Sequence, residues 1–153
     1  MGEDWNYGNK SSSLLAPADG EPMHGWLSFP EKVIVETETL DEFCTTRGIS
    51  RIDFVHMDVQ GAESLVLEGA QRMLPHITAI WLEVANEELY AGQKLRPAIE
   101  DWLRARKFAL TLYESWGPEG NQLYVNLRSP RGLLFAMAFR LRRALRHRFL
   151  RAA

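Results

Sequence analysis

Two apolar runs, each followed by an amphipathic segment, constrain the fold of this chain most strongly. Ile52 to Val59 is apolar on both faces in its middle and polar toward its end, which is typical of a central parallel strand covered by helices on both sides. Ala79 to Val84 is a second such run. Residues 61–75 and Leu95 to Lys107 carry apolar side chains at helical spacing. This strand, helix, strand, helix order predicts right-handed crossovers and an α/β fold with parallel strands.

The segment before the first run predicts one short helix. The first 30 residues are rich in Gly and Pro without a sustained period and read as loop, and Lys32 to Glu36 is a short β-branched run. Thr39 followed by Glu42 forms a capping box, so a helix is expected from there to about Arg47. Cys44 falls on the apolar side of this helix, where we expect a small buried hydrophobe.

Two strands are expected at the end of the sheet. Phe108 to Glu114 and Gln122 to Leu127 are separated only by the seven residues from Ser115 to Asn121. So short a connection predicts an antiparallel hairpin. An α/β sheet that finishes in one antiparallel hairpin is how class I methyltransferases end, although other mixed sheets share this feature.

Charge is distributed unevenly along the chain. Seven of the 18 basic residues follow Pro130, where no acid occurs, so the preceding residues hold 11 basic against 20 acidic side chains. Residues 133–151 place four apolar side chains on one stripe of a helix, namely Leu134, Met137, Leu141 and Leu145. This basic amphipathic helix either lies on an anionic membrane surface or packs its leucine face on the domain. Nucleic-acid binding is not expected, because the body is acidic and no aromatic stacking pattern accompanies the arginines.

Cysteine content and hydropathy predict a cytoplasmic protein. Any membrane association is expected to occur through the basic helix. A single cysteine forms no internal disulfide, and no signal-peptide pattern opens the sequence. No apolar stretch approaches the roughly 20 residues that cross a bilayer.

Polar side chains gather where the two core strands end. Asp58, Gln60 and Glu63 follow the first strand, while Glu83 and Asn86 lie at the end of the second. Because ligands bind beyond the carboxyl ends of strands in open α/β sheets, these residues are candidates for function. A carboxylate there accepts a proton from a hydroxyl nucleophile, orients a sugar hydroxyl, or holds a divalent ion with a second acid.

Structural interpretations of the same residues remain open. Glu63 in a first helical turn is favoured by the helix dipole alone, and Asp58 at a strand end can accept backbone N–H bonds. His56 either lines the site beside Asp58 or is a hydrogen-bonded core histidine. His24 and His76 show no metal-ligand spacing with other His or Cys residues, so no metal is assigned.

The run from Asp53 to Glu63, continued by Leu65 to Ala70, closely resembles the signature of FkbM-type methyltransferases. In that family an Ile-Asp strand leads to Lys-x-Asp-x-Glu-Gly-x-Glu, then Leu-x-Gly-Ala, then a strand that ends in Glu. Thr39-Leu40-Asp41 upstream and Trp81-Leu82-Glu83-Val84 downstream follow the family's order, and the resemblance covers roughly residues 5–127. His56 stands where the family usually has Lys, and Gln60 where it often has Glu. Gln60 keeps the shape without the charge, which excludes a base role there.

The resemblance implies methyl transfer from S-adenosylmethionine to a hydroxyl of a carbohydrate or secondary metabolite. The expected fold is the C-terminal half of a class I, Rossmann-like sheet with a C-terminal amphipathic helix. The domain boundaries implied are a loop-rich segment over 1–31, a partial methyltransferase domain over 32–130 and the basic helix over 131–153. The catalytic residues implied are Asp58, Glu63 and His56, with Asp58 also near the cofactor. The substrate-binding residues implied are Gln60, Gly61, Glu83 and Asn86.

The cofactor-binding part of such a domain is the weakest match. Family members begin with a strand that leads into a Gly-rich turn, and no Gly-x-Gly occurs in this sequence. We therefore expect the isolated chain to bind S-adenosylmethionine poorly or not at all, and a second chain to be one source of the N-terminal half. The alternative hypothesis is a non-catalytic fragment that acts as a partner-binding or peripheral membrane module through its basic tail.

Overall fold

The computed structural model describes residues 12–18 and 31–149, and eight helices and strands follow one another in that part of the chain. A 3₁₀ turn at Leu74–His76 precedes the second strand. The elements are α1 (Leu40–Thr46), β1 (Ile52–Met57), α2 (Glu63–Glu68), β2 (Ile77–Ala85), α3 (Arg96–Ala105), β3 (Phe108–Trp116), β4 (Glu119–Asn126) and α4 (Pro130–Phe149).

The four strands form one mixed sheet in the order β1-β2-β4-β3. β1 and β2 are parallel, with Ile52 opposite Ile77 and Met57 opposite Leu82. β4 runs antiparallel to both β2 and β3. The predicted α/β class is confirmed, as are the parallel pair and the terminal antiparallel hairpin.

The two faces of the sheet are covered unequally. One face packs against α2 and α3 and holds the larger core cluster, which includes Leu67, Ile80, Leu82, Leu103 and Tyr124. The other face holds a small cluster of Ala79, Val125 and Ala136, in which Ala136 comes from α4. The sheet therefore positions its main core on the α2 and α3 side.

The prediction that the first core strand is central and covered on both faces is wrong for the described residues. β1 pairs with β2 alone there, and the side chains of Phe54 and His56 are exposed, Phe54 by 56%. The reason is that the helix on this face, α4, packs on β2 and β4. Ile52, Val55 and Met57 are the residues of β1 that reach the main core.

The short N-terminal helix forms as its capping residues predict. The Thr39 hydroxyl accepts the Glu42 N–H, and the Glu42 carboxylate accepts the Thr39 N–H in return. Cys44 is buried as expected, and Gly48 follows the helix with a φ of 65°. Lys32 to Glu36, in contrast, belongs to no strand and its side chains are exposed.

The predicted helix after β1 is shorter than its apolar spacing suggests. α2 ends at Glu68 and is followed by turns, so Leu65 is 46% exposed although Leu67 is buried. Gly69 comes close to the start of α1, because a Cβ there would lie 3.3 Å from Cβ of Thr39. The residues after the helix still reach the core, since Ala70, Met73 and Leu74 are buried.

The hairpin between β3 and β4 has a tighter turn than predicted. Trp116 pairs with Glu119, which leaves Gly117 and Pro118 as a two-residue loop in place of the seven residues expected. Gly117 has a φ of 61°, as the first central position of such a turn favours. Within the described residues, no helix is both long and apolar enough to span a membrane.

Candidate functional site

The candidate site lies where the parallel strands β1 and β2 end. Because carboxyl ends of parallel strands meet at one edge of a sheet, residues that follow β1 come close to the end of β2. Asp58 comes directly after β1, Gln60 lies two residues on, and Glu83 is near the end of β2. The structure brings these three predicted residues together.

The side chain of Gln60 bridges the two acids. Its Nε2 donates to Oδ1 of Asp58 at 2.7 Å and to Oε2 of Glu83 at 3.1 Å. Its Oε1 accepts a hydrogen bond from the hydroxyl of Tyr90 at 2.8 Å. Since an amide carries two donors on nitrogen and accepts only through oxygen, these bonds fix both its position and its orientation.

The backbone beneath this bridge adopts an unusual conformation. Gln60 has a φ of 51° and Gly61 a φ of 90°. A Cβ on Gly61 would lie 2.8 Å from Cδ2 of Tyr90, so this position requires glycine for both conformation and space. The turn thus places the Tyr90 ring directly against the backbone that carries Gln60.

A separate segment of the chain supports the same turn. The hydroxyl of Ser13 donates to the carbonyl of Gln60 at 2.6 Å. Pro17 forms an isolated antiparallel bridge with Tyr90, and the N–H of Ala91 donates to the carbonyl of Ala16 at 2.8 Å. Residues 12–18 therefore fasten the loop after β1 to the loop after β2.

Burial and charge shift the acid-base behaviour of two side chains in the site. Burial, with the nearby Asp58 and Glu119 charges, raises the pKa of Glu83 to about 8. Burial, with Glu119 and Glu83 nearby, raises the pKa of Tyr90 to about 12. Near neutral pH, Glu83 is therefore largely a neutral acid able to donate a hydrogen bond, and Tyr90 remains a phenol.

Glu63 is buried and turned toward its own backbone. Its Oε1 accepts the N–H of Val59 at 3.2 Å, and burial raises the pKa of its carboxyl. These contacts favour a role in holding the turn between β1 and α2. The catalytic role that the resemblance implies for Glu63 stays a prediction.

Asn86 makes its hydrogen bonds in a different polar cluster. Its Oδ1 accepts from Nε of Arg96 at 2.7 Å, and its Nδ2 donates to the Tyr113 hydroxyl at 3.4 Å. Arg96 in turn pairs with Glu100, which accepts from the buried Gln122 at 2.6 Å. The predicted substrate residue Asn86 is thus tied to Arg96 of α3 and Tyr113 of β3, and these side-chain bonds do not reach Gln60.

His56 and Asp58 both reach solvent at this edge. His56 is exposed, so the interpretation as a hydrogen-bonded core histidine is wrong. Its Cα lies opposite Trp81 of β2. Asp58 is exposed as well and so remains accessible to a ligand while it holds the Gln60 amide.

Sequence reasoning missed three contributors to the site. Tyr90 and Ser13 contact Gln60 from distant segments, and Glu119 adds negative charge from the start of β4. A tyrosine in an otherwise polar loop was a weak signal for Tyr90. For Glu119 the signal lay in the hairpin register, which the overlong predicted turn obscured.

The arrangement suits proton transfer and hydrogen bonding to a hydroxyl group. Asp58 offers an exposed carboxylate, and Glu83 offers a proton donor. Both carboxyl groups are bonded to the same amide nitrogen of Gln60. Among residues 12–18 and 31–149, no group of three His, Cys, Asp or Glu side chains has the arrangement of a metal site. His24 lies outside the described residues.

Comparisons with known proteins give the family of this chain. The sequence model described as the methyltransferase FkbM domain matches residues 2–110. The 2-O-methyltransferase NoeI of Sinorhizobium fredii (strain NBRC 101917 / NGR234) is 37% identical over 116 residues, which cover 76% of this chain and 47% of that relative. No solved structure matches.

The chain therefore belongs to the FkbM methyltransferase family, as the motif around Asp58 predicts. It spans about half the length of the curated relative that it matches. The Gln60 bridge lies within the residues that the family model matches.

Proposed function

We propose that this chain contributes the acceptor end of a site that transfers a methyl group from S-adenosylmethionine to a hydroxyl of a carbohydrate or related metabolite. The observation that carries this proposal is the bridge of Gln60 between Asp58 and Glu83 at the carboxyl ends of β1 and β2. Family membership supports methyl transfer, and the name of the relative, a 2-O-methyltransferase, supports an oxygen acceptor.

Asp58 is the residue that we place against the reacting hydroxyl. Its exposed carboxylate accepts the proton that the acceptor oxygen gives up as it forms its new bond. Glu83 stays largely protonated near neutrality and donates a hydrogen bond to a second oxygen of the acceptor. Gln60 keeps the two carboxyl groups at a fixed spacing, which orients a substrate that contacts both.

S-adenosylmethionine, when bound, supplies an electrophilic methyl group. The described residues at this edge are mainly acids and one amide, which suit a hydroxyl acceptor and disfavour the carboxylate of the cofactor. With no Gly-x-Gly in the sequence, the residues present do not fit the whole cofactor. We therefore place most of the cofactor contacts outside the described residues and derive no step through them.

A second polypeptide segment is the partner that we propose for those contacts. The outer edge of β1 has no strand partner in the described part of the chain, and Phe54 beside it is 56% exposed. The relative is about twice as long as the matched region. The strand order, in which β4 lies antiparallel between β2 and β3, supports the C-terminal half of a class I, Rossmann-like sheet.

Calorimetric titration and a transfer assay test this proposal together. The purified chain, together with any second polypeptide that cofactor binding requires, is titrated with S-adenosylhomocysteine. It is then incubated with S-adenosylmethionine labelled in its methyl group and a panel of sugars. Each sugar is paired with its deoxy analogue, which lacks one hydroxyl. Label in a sugar but not in its deoxy partner supports hydroxyl methylation. Tight cofactor binding with label in no hydroxyl acceptor, or label in the deoxy partner equally, contradicts it.

A further inference from the structure

The exposed apolar stripe of α4 faces away from the sheet. Among the residues of α4 whose side chains are described, Gly132 and Ala136 are buried, and a Cβ on Gly132 would collide with the carbonyl oxygen of Asn126. Leu134, Met137 and Leu141 are 67%, 62% and 63% exposed. Since residues three, four and seven apart share a face, these three side chains form one stripe on the side that does not contact β2 and β4.

This placement decides between the two interpretations of the basic helix. A terminal helix that packs its leucine face on its own domain would bury Leu134 and Met137. The described structure instead uses the small residues Gly132 and Ala136 for that contact. The prediction that the leucine face packs on the domain is wrong in the part of α4 whose side chains are described.

The charge of the segment indicates what chemistry suits the stripe. All seven charged residues after Pro130 are arginines. Arg142 is exposed next to Leu141, and Arg131 is exposed at the first turn, where it also pairs with Asp53. Apolar side chains flanked by arginines on a helix match a surface that is apolar below and anionic above.

We propose that α4 docks the protein on an anionic lipid surface. Leu134, Met137 and Leu141 insert at the boundary between headgroups and acyl chains, and Arg131 and Arg142 contact the lipid phosphates. α4 has 20 residues and so is about 30 Å long, and it lies along the surface rather than across the bilayer. The proposal is independent of the methyl-transfer proposal, because it uses no residue of the candidate site.

Other occupants explain fewer of these features. A nucleic acid matches the arginines and leaves the apolar stripe in water, since it offers no apolar surface of that length. A second copy of this chain covers the stripe but brings another set of arginines to the contact, where like charges repel. An anionic lipid surface accounts for both the stripe and the arginines.

Vesicle sedimentation tests the proposal with the full chain. Wild-type protein is mixed with phosphatidylcholine vesicles that contain or lack phosphatidylserine, and the bound fraction is measured. We expect binding to the anionic vesicles that weakens as salt rises, and at least about tenfold less binding to the neutral ones. If the wild-type chain does not bind anionic vesicles, the proposal is overturned. The same holds if binding is absent because the wild-type chain elutes as a dimer that covers the stripe.

Matched triple variants show whether the stripe is responsible. The stripe variant carries Leu134→Ser, Met137→Ser and Leu141→Ser. The control variant carries Val33→Ser, Ile34→Ser and Val35→Ser, which removes three exposed apolar side chains that have no neighbouring arginine cluster. We expect the stripe variant to lose at least about tenfold in vesicle affinity and the control to bind as wild type. Equal binding by the two variants overturns the proposal, and circular dichroism checks that both remain folded.

Discussion

The hydroxyl of Tyr90 donates a 2.8 Å hydrogen bond to the side-chain carbonyl of Gln60, a residue 30 positions earlier in the chain. That bond leaves the Gln60 amide nitrogen directed at Asp58 and Glu83. The loop after β2 therefore controls the orientation of the group that joins the two acids. The position of Tyr90 against Gly61 makes the same loop part of the turn after β1.

Replacing Tyr90 by Phe tests this control. The variant keeps the ring that packs on Gly61 and leaves the partly buried Oε1 of Gln60 without its donor. We expect the free energy of unfolding to fall by about 1–2 kcal/mol, as for other buried groups that lose a partner. Urea denaturation of both proteins measures the difference.

Tyr113→Phe is the control for that measurement. The Tyr113 hydroxyl has Asn86, at a long 3.4 Å, and Ser115 as hydrogen-bond partners, and it lies near the surface. Its loss should change the free energy of unfolding by no more than about 0.5 kcal/mol. Equal losses of unfolding free energy in the two variants would show that the hydrogen bond from Tyr90 to Gln60 does not stabilise the turn.

Glu83→Gln should change how stability depends on pH. The pKa of Glu83 in the folded protein, about 8, lies above its ordinary value of 4.5. The folded state therefore holds a proton that the unfolded chain releases, so the free energy of unfolding falls as pH rises between about 4.5 and 8. Gln is neutral throughout and still accepts from Gln60, so the variant should gain stability over wild type as pH increases.

The size of that gain is limited by exposure. Because Glu83 is only half-buried, solvent screening reduces the effect, and we expect on the order of 1–2 kcal/mol at pH 8 and little at pH 4. Denaturation midpoints across this pH range measure it. Glu87→Gln, which removes an exposed acid from the loop that follows β2, is the matched control. A Glu83→Gln curve parallel to that of wild type would mean that the pKa of Glu83 is not raised.

Gly61→Ala should be costly for two reasons that a second variant separates. Gly61 has a φ of 90°, and an added Cβ would lie 2.8 Å from Tyr90 Cδ2. Gly92 has a similar φ of 79°, with nothing within 4 Å of such a Cβ. We expect losses in unfolding free energy of about 2–4 kcal/mol at Gly61 and about 1 kcal/mol at Gly92. Similar losses at both would mean that contact with Tyr90 contributes nothing.

Local signals predicted much of the fold. The Thr39 and Glu42 cap, the apolar runs of β1 and β2 and the hairpin were all visible in residue types and short spacings. The prediction that failed, burial of both faces of β1, depends on the position of that strand in the sheet. The Phe54 and His56 face of β1 is exposed because the described strands place β1 at an edge, and the sequence of one strand does not report its neighbours.

The site was predicted in part for the same reason. Asp58, Gln60 and Glu83 follow strands, so the general rule for carboxyl ends of parallel strands brought them together. Tyr90 and Ser13 come from loops, and Asn86 turned toward Arg96 instead. The path of a loop depends on long-range contacts, such as the bridge between Pro17 and Tyr90. Local sequence patterns do not predict such contacts.

The rate of methyl transfer by Asp58→Asn tests whether Asp58 acts on the acceptor hydroxyl. The wild-type chain and the variant are assayed with labelled S-adenosylmethionine and a hydroxyl acceptor, with any second polypeptide that the wild-type reaction requires. The control is Asp101→Asn, which changes an exposed acid on α3 and is assayed under identical conditions. We expect a loss in turnover of at least about 100-fold for Asp58→Asn, with cofactor affinity nearly unchanged and Asp101→Asn as active as wild type. Turnover by Asp58→Asn equal to that of the control would contradict the role of Asp58 at the acceptor hydroxyl.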